Sequence, residues 1–179
     1  MRMSKLSILG AAMALLCTTT FGYAQTKFGF GKKATDAEIA GWNIDVDRDG
    51  RYLPPGHGTV SQGRELYQNQ CAACHGEKGE GGIGDRLVGG KGTLATRKPI
   101  KTVGSYWPYA PTLFDYIRRA MPLNAPQSLS NDEVYALTGY LLNLNGIVPD
   151  GATMDAKSVS AVRMPNRDGF VDDPRPDVP

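Results

Sequence analysis

Residues 71–75 read Cys71-Ala72-Ala73-Cys74-His75, and the spacing of these three reactive side chains decides how the rest of the chain is read. Two thiols separated by two residues can add across the two vinyl groups of one haem, and the next residue then places an imidazole beneath the iron. The same pair could instead be a thioredoxin-like redox couple or half of a zinc site. The first needs a βαβ setting and the second two further ligands, and the sequence supplies neither. There is no second C-x-x-C-H and no internal repeat. One covalent haem c is therefore expected, held by Cys71, Cys74 and His75.

A helix is predicted from about Val60 to Gln70, with Gly63, Leu66 and Tyr67 towards one side, delivering Cys71 at its end. Gly63 and Tyr67 stack on one helical face. A glycine there lets another helix backbone approach, and Leu137, Tyr140 and Leu141 are the expected partners. From Gly76 to Gly104 the chain holds nine glycines and no helical period. Irregular segments of that length are uncommon in compact domains, but one wrapped round a large apolar cofactor gains the core it lacks. That is a second pointer to haem, independent of the cysteines.

Pro111 and Thr112 open a further helix, with Leu113, Tyr116, Ile117 and Ala120 on one face, and Met121-Pro122 stops it. The last helix starts at Ser130, boxed by Glu133, and runs to Gly146. Sheet content is expected to be negligible. A sixth iron ligand should come from the C-terminal side, where a neutral thioether favours ferrous iron and suits an electron carrier. Beyond the leader the methionines are Met121, Met154 and Met164. Met121 and Met164 both precede proline, so the dipeptide does not choose between them. Order along the chain does, because Met121 lies ahead of the final helix and the other two lie beyond it.

The N-terminus begins MRMSK and continues as an apolar run from Leu6 to Cys17, too short to span a bilayer. It reads as a secretory signal peptide, residues 1–24, cut after Ala24, which implies a periplasmic protein with no membrane span in the mature chain. Removing it takes Arg2 and Lys5 from the 20 basic residues and nothing from the 18 acidic ones, leaving 18 of each. Neutral charge without a basic, aromatic-interleaved patch gives no footprint for nucleic acid. Cys17 leaves with the leader, so only the 71/74 pair remains. Residues 25–58 read as an N-terminal extension with a short helix at Thr35 to Trp42, and 59–146 as the haem domain. Residues 147–179, rich in proline and aspartate, read as an extended arm able to lie across a larger protein; the bland alternative is disorder.

Other features carry weaker readings. Tyr106, Trp107 and Tyr109 could lie on the haem and donate to a propionate, or pack the core. Arg118 and Arg119 suit the C-terminal end of their helix, with docking or a propionate as the alternative. Asp45 to Gly50 starts like a calcium loop, but its twelfth position is Gly56, so a solvated turn is expected. His57 reads as a surface loop residue. No acid–base pair, nucleophile or metal triad is visible, and no substrate chemistry is expected of the chain alone.

Taken together, the glycine and tyrosine before C-x-x-C-H, the methionine-proline and the capped last helix make residues 59–146 resemble class I cytochromes c, an all-α fold around one haem with long irregular loops. The flanking GWNIDV, LPPGHGTV, KTVGSYWPYAPTLFDYIRRAMP and VRMPNRDGF resemble the cytochrome c subunit of the sulfur (sulfane) dehydrogenase of thiosulfate-oxidising bacteria. That resemblance implies a molybdenum-cofactor subunit as electron donor, a downstream cytochrome as acceptor, and haem ligation by His75 and Met121. It departs in two ways. There is no second haem domain, and Asp85-Arg86-Leu87 stands where many small cytochromes place the proline whose carbonyl steadies the proximal histidine, leaving that carbonyl open. Two competing readings are a free periplasmic shuttle with a dispensable tail, and a haem enzyme or ligand sensor with an open iron site.

Overall fold

The computed structural model describes residues 30–175, so the expected leader (1–24) lies outside the described residues. The chain divides into two units, Met1–Asp36 and Ala37–Pro179. The first contributes only residues 30–36 to the description, irregular up to the start of helix α1 (Asp36–Trp42). The second holds everything else.

Within it the order is β1 (His57–Thr59), α2 (Val60–Gln70), α3 (Ala72–His75), α4 (Ala110–Ala120), α5 (Asn131–Leu144), β2 (Thr153–Asp155) and α6 (Ala156–Ala161). Each main helix begins where its sequence satisfies the free amide groups of the first turn. Thr59 and Gln62 form a reciprocal capping box at α2, and Ser130 and Glu133 do the same at α5. Helix α4 carries proline in its first turn, where the missing N–H costs nothing, and stops at Met121, whose following proline cannot continue it.

The core is the crossing of α2 and α5. A Cβ on Gly63 would stand 1.9 Å from the Ala136 carbonyl oxygen and 2.8 Å from the Tyr140 Cβ, so the backbones touch there and only glycine fits. The expected partner Tyr140 is present, Ala136 joins it at the closest approach, and Leu137 and Leu141 are buried in the same core. One turn along, Tyr67 packs on Tyr140 with ring centroids 5.3 Å apart. Helix α4 closes the other side of α5, with Phe114 against Tyr135 at 4.5 Å.

The extended-tail reading of 147–179 needs correction. Strand β2 pairs antiparallel with β1, Gly58 opposite Met154, and α6 follows under its own capping box from Asp155 and Ser158. Met154, Val159 and Met164 are buried. Three apolar residues, each five apart, are too sparse for a helical or strand period to show, yet each fills a place on the core. Met154 lies against Gly139, where a Cβ would come within 2.7 Å of its Cγ. The chain becomes continuously exposed only from Asp168 to Arg175. The two three-residue strands are all the sheet among the described residues.

The N-terminal extension is also stitched down: the Val46 amide donates to Asp115 Oδ1 at 2.9 Å and Arg118 to the Ile44 carbonyl at 2.9 Å. Asp45 to Gly50 is a turn whose Asp47 and Asp49 pair with Arg51. His57, read as a loop residue, lies in β1, where its amide donates to Asp132.

Candidate haem site

Helix α2 ends as the Cys71 amide donates to the Tyr67 carbonyl, and the chain turns at once into α3. The Cys74 and His75 amides both donate to the Cys71 carbonyl, at 3.1 and 2.9 Å. This single turn places positions i, i+3 and i+4 side by side. Both thiols are free, Cys71 half-buried and Cys74 exposed. Burial, with the neighbouring Cys74 second, pushes the Cys71 thiol up to about 11, so it is protonated at neutral pH. Among the described residues no group of three or more His, Cys, Asp or Glu could hold a metal ion, so the pair has no zinc partners there.

The imidazole is oriented by a backbone group. His75 Nδ1 lies 2.7 Å from the Asp85 carbonyl oxygen. A carbonyl only accepts, so Nδ1 carries the proton and Nε2 keeps its lone pair for a metal. This answers which carbonyl steadies the histidine: Asp85 does so without a proline. The segment bringing Asp85 there is a glycine wrap, in which the Gly81 amide donates to the His75 carbonyl at 2.8 Å and the Gly84 amide to the Cys74 carbonyl at 2.9 Å. A Cβ on Gly84 would press on the ring, 2.8 Å from Cε1. The Tyr67 hydroxyl donates to the Gly76 carbonyl at 2.8 Å, tying α2 to the start of the wrap, and burial raises its phenol above the usual range.

Met121 caps α4 with its backbone extended, half-buried and packed on the core. Met154, in β2, and Met164, beyond the end of α6, are instead buried in the core. Two free thiols one turn apart, an imidazole with Nε2 available and a half-buried thioether are the donor set a covalent haem requires, and these residues fit that group.

The family described as "Cytochrome C oxidase, cbb3-type, subunit III" matches residues 58–141. The "Crystal Structure of the Sulfane Dehydrogenase SoxCD from Paracoccus pantotrophus" contains a chain similar at 43% identity and TM-score 0.78, over 83% of this chain and 74% of that one. No curated protein matches.

The chain belongs to the cytochrome c family. Its role is electron transfer, and the family is one of haem c.

In this cytochrome the aromatic run before α4 packs against protein. Trp107 meets Tyr116 edge-on with centroids 5.7 Å apart, and Tyr106 meets Phe170 at 5.2 Å. Tyr109 lies between the guanidinium groups of Arg167 and Arg48, at 4.3 and 5.8 Å. The two arginines ending α4 are also engaged, Arg118 with Ile44 and Arg119 with the buried carboxylate of Asp115, whose hydrogen bond raises the Arg119 pKa. No sequence signal marks the Asp85 carbonyl, because every residue has one. The glycines flanking it were the available hint.

Proposed function

We propose that this cytochrome is the electron-transfer subunit of a molybdenum-containing sulfur-compound dehydrogenase of the periplasm, with one haem attached at Cys71 and Cys74 and ligated by His75 and Met121. The leader is cut after Ala24, and the haem domain spans 59–146. Electrons arrive from the molybdenum subunit and leave to a downstream cytochrome. The observation that carries this reading is the 43% identity over 83% of the chain to part of a sulfane dehydrogenase complex.

The bound haem would supply a one-electron couple. Everything else falls to the chain. Cys71 and Cys74 would tether the haem, His75, held in one tautomer by Asp85, would ligate it through Nε2, and Met121 would supply the thioether ligand. With His75 and Met121 both bound to it, the haem would have no open position for oxygen or peroxide, and this is what would separate an electron carrier from an enzyme or sensor. The structured 147–166 segment argues against a dispensable tail, since it carries part of the core.

The test is purification from the native periplasm. A molybdenum protein should accompany the chain, and sulfite or thiosulfate should reduce its haem. A chain that elutes alone and stays oxidised is a free shuttle.

A further inference from the structure

The main-chain carbonyl that orients His75 belongs to a segment with no helix or strand of its own, so other contacts must hold it at 2.7 Å. Ahead of Asp85 the anchor is local: the Gly84 amide is bound to the Cys74 carbonyl, beside the histidine itself. Beyond Asp85, the Leu87 amide donates to the Gly79 carbonyl at 2.9 Å. The Leu87 carbonyl finds its partner in a different element. It accepts from Asn145 Nδ2 at 3.2 Å, 58 residues along the chain.

Asn145 follows the last residue of α5 and is half-buried. Its side-chain amide is fully used. Nδ2 also donates to the Leu141 carbonyl at 2.9 Å, one of the carbonyls that a helix end leaves without an intrahelical partner. Oδ1 accepts from the Gly89 amide at 3.3 Å. A Cβ on Gly104 would lie 2.3 Å from the same oxygen, so the amide is packed against the far end of the glycine-rich segment. A side chain that only capped the helix would need the Leu141 bond alone. The other two bonds grip the chain on either side of Val88. Two carbonyls and one amide call for two donors and an acceptor in one group, which a carboxamide supplies and a carboxylate does not.

We infer that Asn145 is a positioning residue for the proximal histidine: by clamping Leu87 and Gly89 to the end of α5 it sets where the Asp85 carbonyl stands, and through that carbonyl the orientation and donor strength of His75. The inference rests on haem ligation by His75 and deepens that reading. Helix α5 is also the helix that meets α2 at Gly63. The clamp therefore locates the imidazole relative to the core and not merely to its own loop. Polar groups that orient a ligating histidine tune the metal it holds.

The test uses the full-length holoprotein and three variants. Asn145→Asp keeps the size and the acceptor but loses both donors, and Asn145→Ala loses all three bonds. Asn143→Ala is the control, because Asn143 belongs to the same helix end but donates to the Val148 carbonyl, at 3.0 Å, rather than to residues 87–89. Exchange of the His75 Nδ1 proton is followed by NMR in the diamagnetic ferrous state, beside potentiometry and denaturant unfolding. Both Asn145 variants should exchange that proton about tenfold faster, the size expected when local opening is eased by the loss of one or two modest hydrogen bonds. Their reduction potential should rise as Nε2 becomes the weaker donor. Asn143→Ala should be destabilised without either change. Exchange and potential unchanged in both Asn145 variants, or moved equally by Asn143→Ala, overturn the inference and leave Asn145 a helix cap. Loss of haem from both Asn145 variants also overturns it, since the residue would then serve the fold and not the histidine. A parent haem lacking histidine ligation would sink the ligation reading and this inference together; indifference to Asn145 in a histidine-ligated parent sinks this inference alone.

Discussion

His75 and Asp85 are joined by a 2.7 Å hydrogen bond from the ring Nδ1 to a main-chain carbonyl. The contact depends on a glycine wrap close enough to the imidazole that a single added carbon would disturb it. A hydrogen bond donated by Nδ1 raises the basicity of Nε2, so this bond would tune a bound iron as well as orient the ring.

Gly84→Ala should push the ring off the Asp85 carbonyl, because the new Cβ would lie 2.8 Å from Cε1 and 2.9 Å from Nδ1. The expected result is a higher reduction potential with the haem still attached, and a stability loss of about 1–3 kcal/mol typical of overpacking. Potentiometric titration beside thermal melting checks this; an unchanged potential would show that the hydrogen bond survives.

Gly63→Ala gains helix propensity, about 1 kcal/mol, but places a Cβ 1.9 Å from a backbone oxygen that cannot turn aside. The clash should win and cost about 3 kcal/mol net, at the upper end of overpacking penalties. Denaturant unfolding of the holoprotein reads it directly. A variant as stable as the parent would mean the α2–α5 crossing can spread at little cost.

Three methionines should separate into two behaviours. Met121→Ala should abolish the far-red methionine–iron absorption and let carbon monoxide bind quickly to the ferrous protein. Met154→Ala and Met164→Ala should leave those spectra intact and lower stability by about 2–5 kcal/mol each, as buried truncations do. Rapid carbon monoxide binding by the parent protein at neutral pH would rule out methionine ligation.

Alkaline stability should fall first through the buried phenols. Burial pushes the Tyr135 phenol up to about 12, while its hydroxyl donates to the Pro54 carbonyl at 2.7 Å. In the unfolded chain a tyrosine ionises near pH 10. The folded state keeps the proton longer, so this contribution is complete below pH 10 and is lost as pH climbs towards 12, by at most about 1.4 kcal/mol per unit. Tyr135→Phe should be less stable at neutral pH by about 1 kcal/mol yet flatter across that window, which unfolding curves at stepped pH would reveal.

Much of the architecture could be read from local chemistry. Thr59, Ser130 and the Met121-Pro122 stop mark helix ends through groups only a few residues away, so α2, α4 and α5 lie close to where they are expected. Gly63 was readable because a glycine on a helical face has one main structural use. The tail was misread for the converse reason: Met154, Val159 and Met164 gain meaning only from the surfaces they cover, and those surfaces are formed by residues far away in the chain. The aromatic run was left open between haem and core on the same ground, and its neighbours prove to be Tyr116, Phe170 and Arg167.

The spacing of Cys71, Cys74 and His75 was legible without the fold, since a covalent haem would demand those atoms along a single helical turn. The Asp85 carbonyl, the anchoring of residues 87–89 by Asn145 and the folding back of 147–166 belong to the tertiary structure alone. Backbone carbonyls are the same in every residue, and sparse apolar side chains carry no period, so only the path of the chain through space could choose among them.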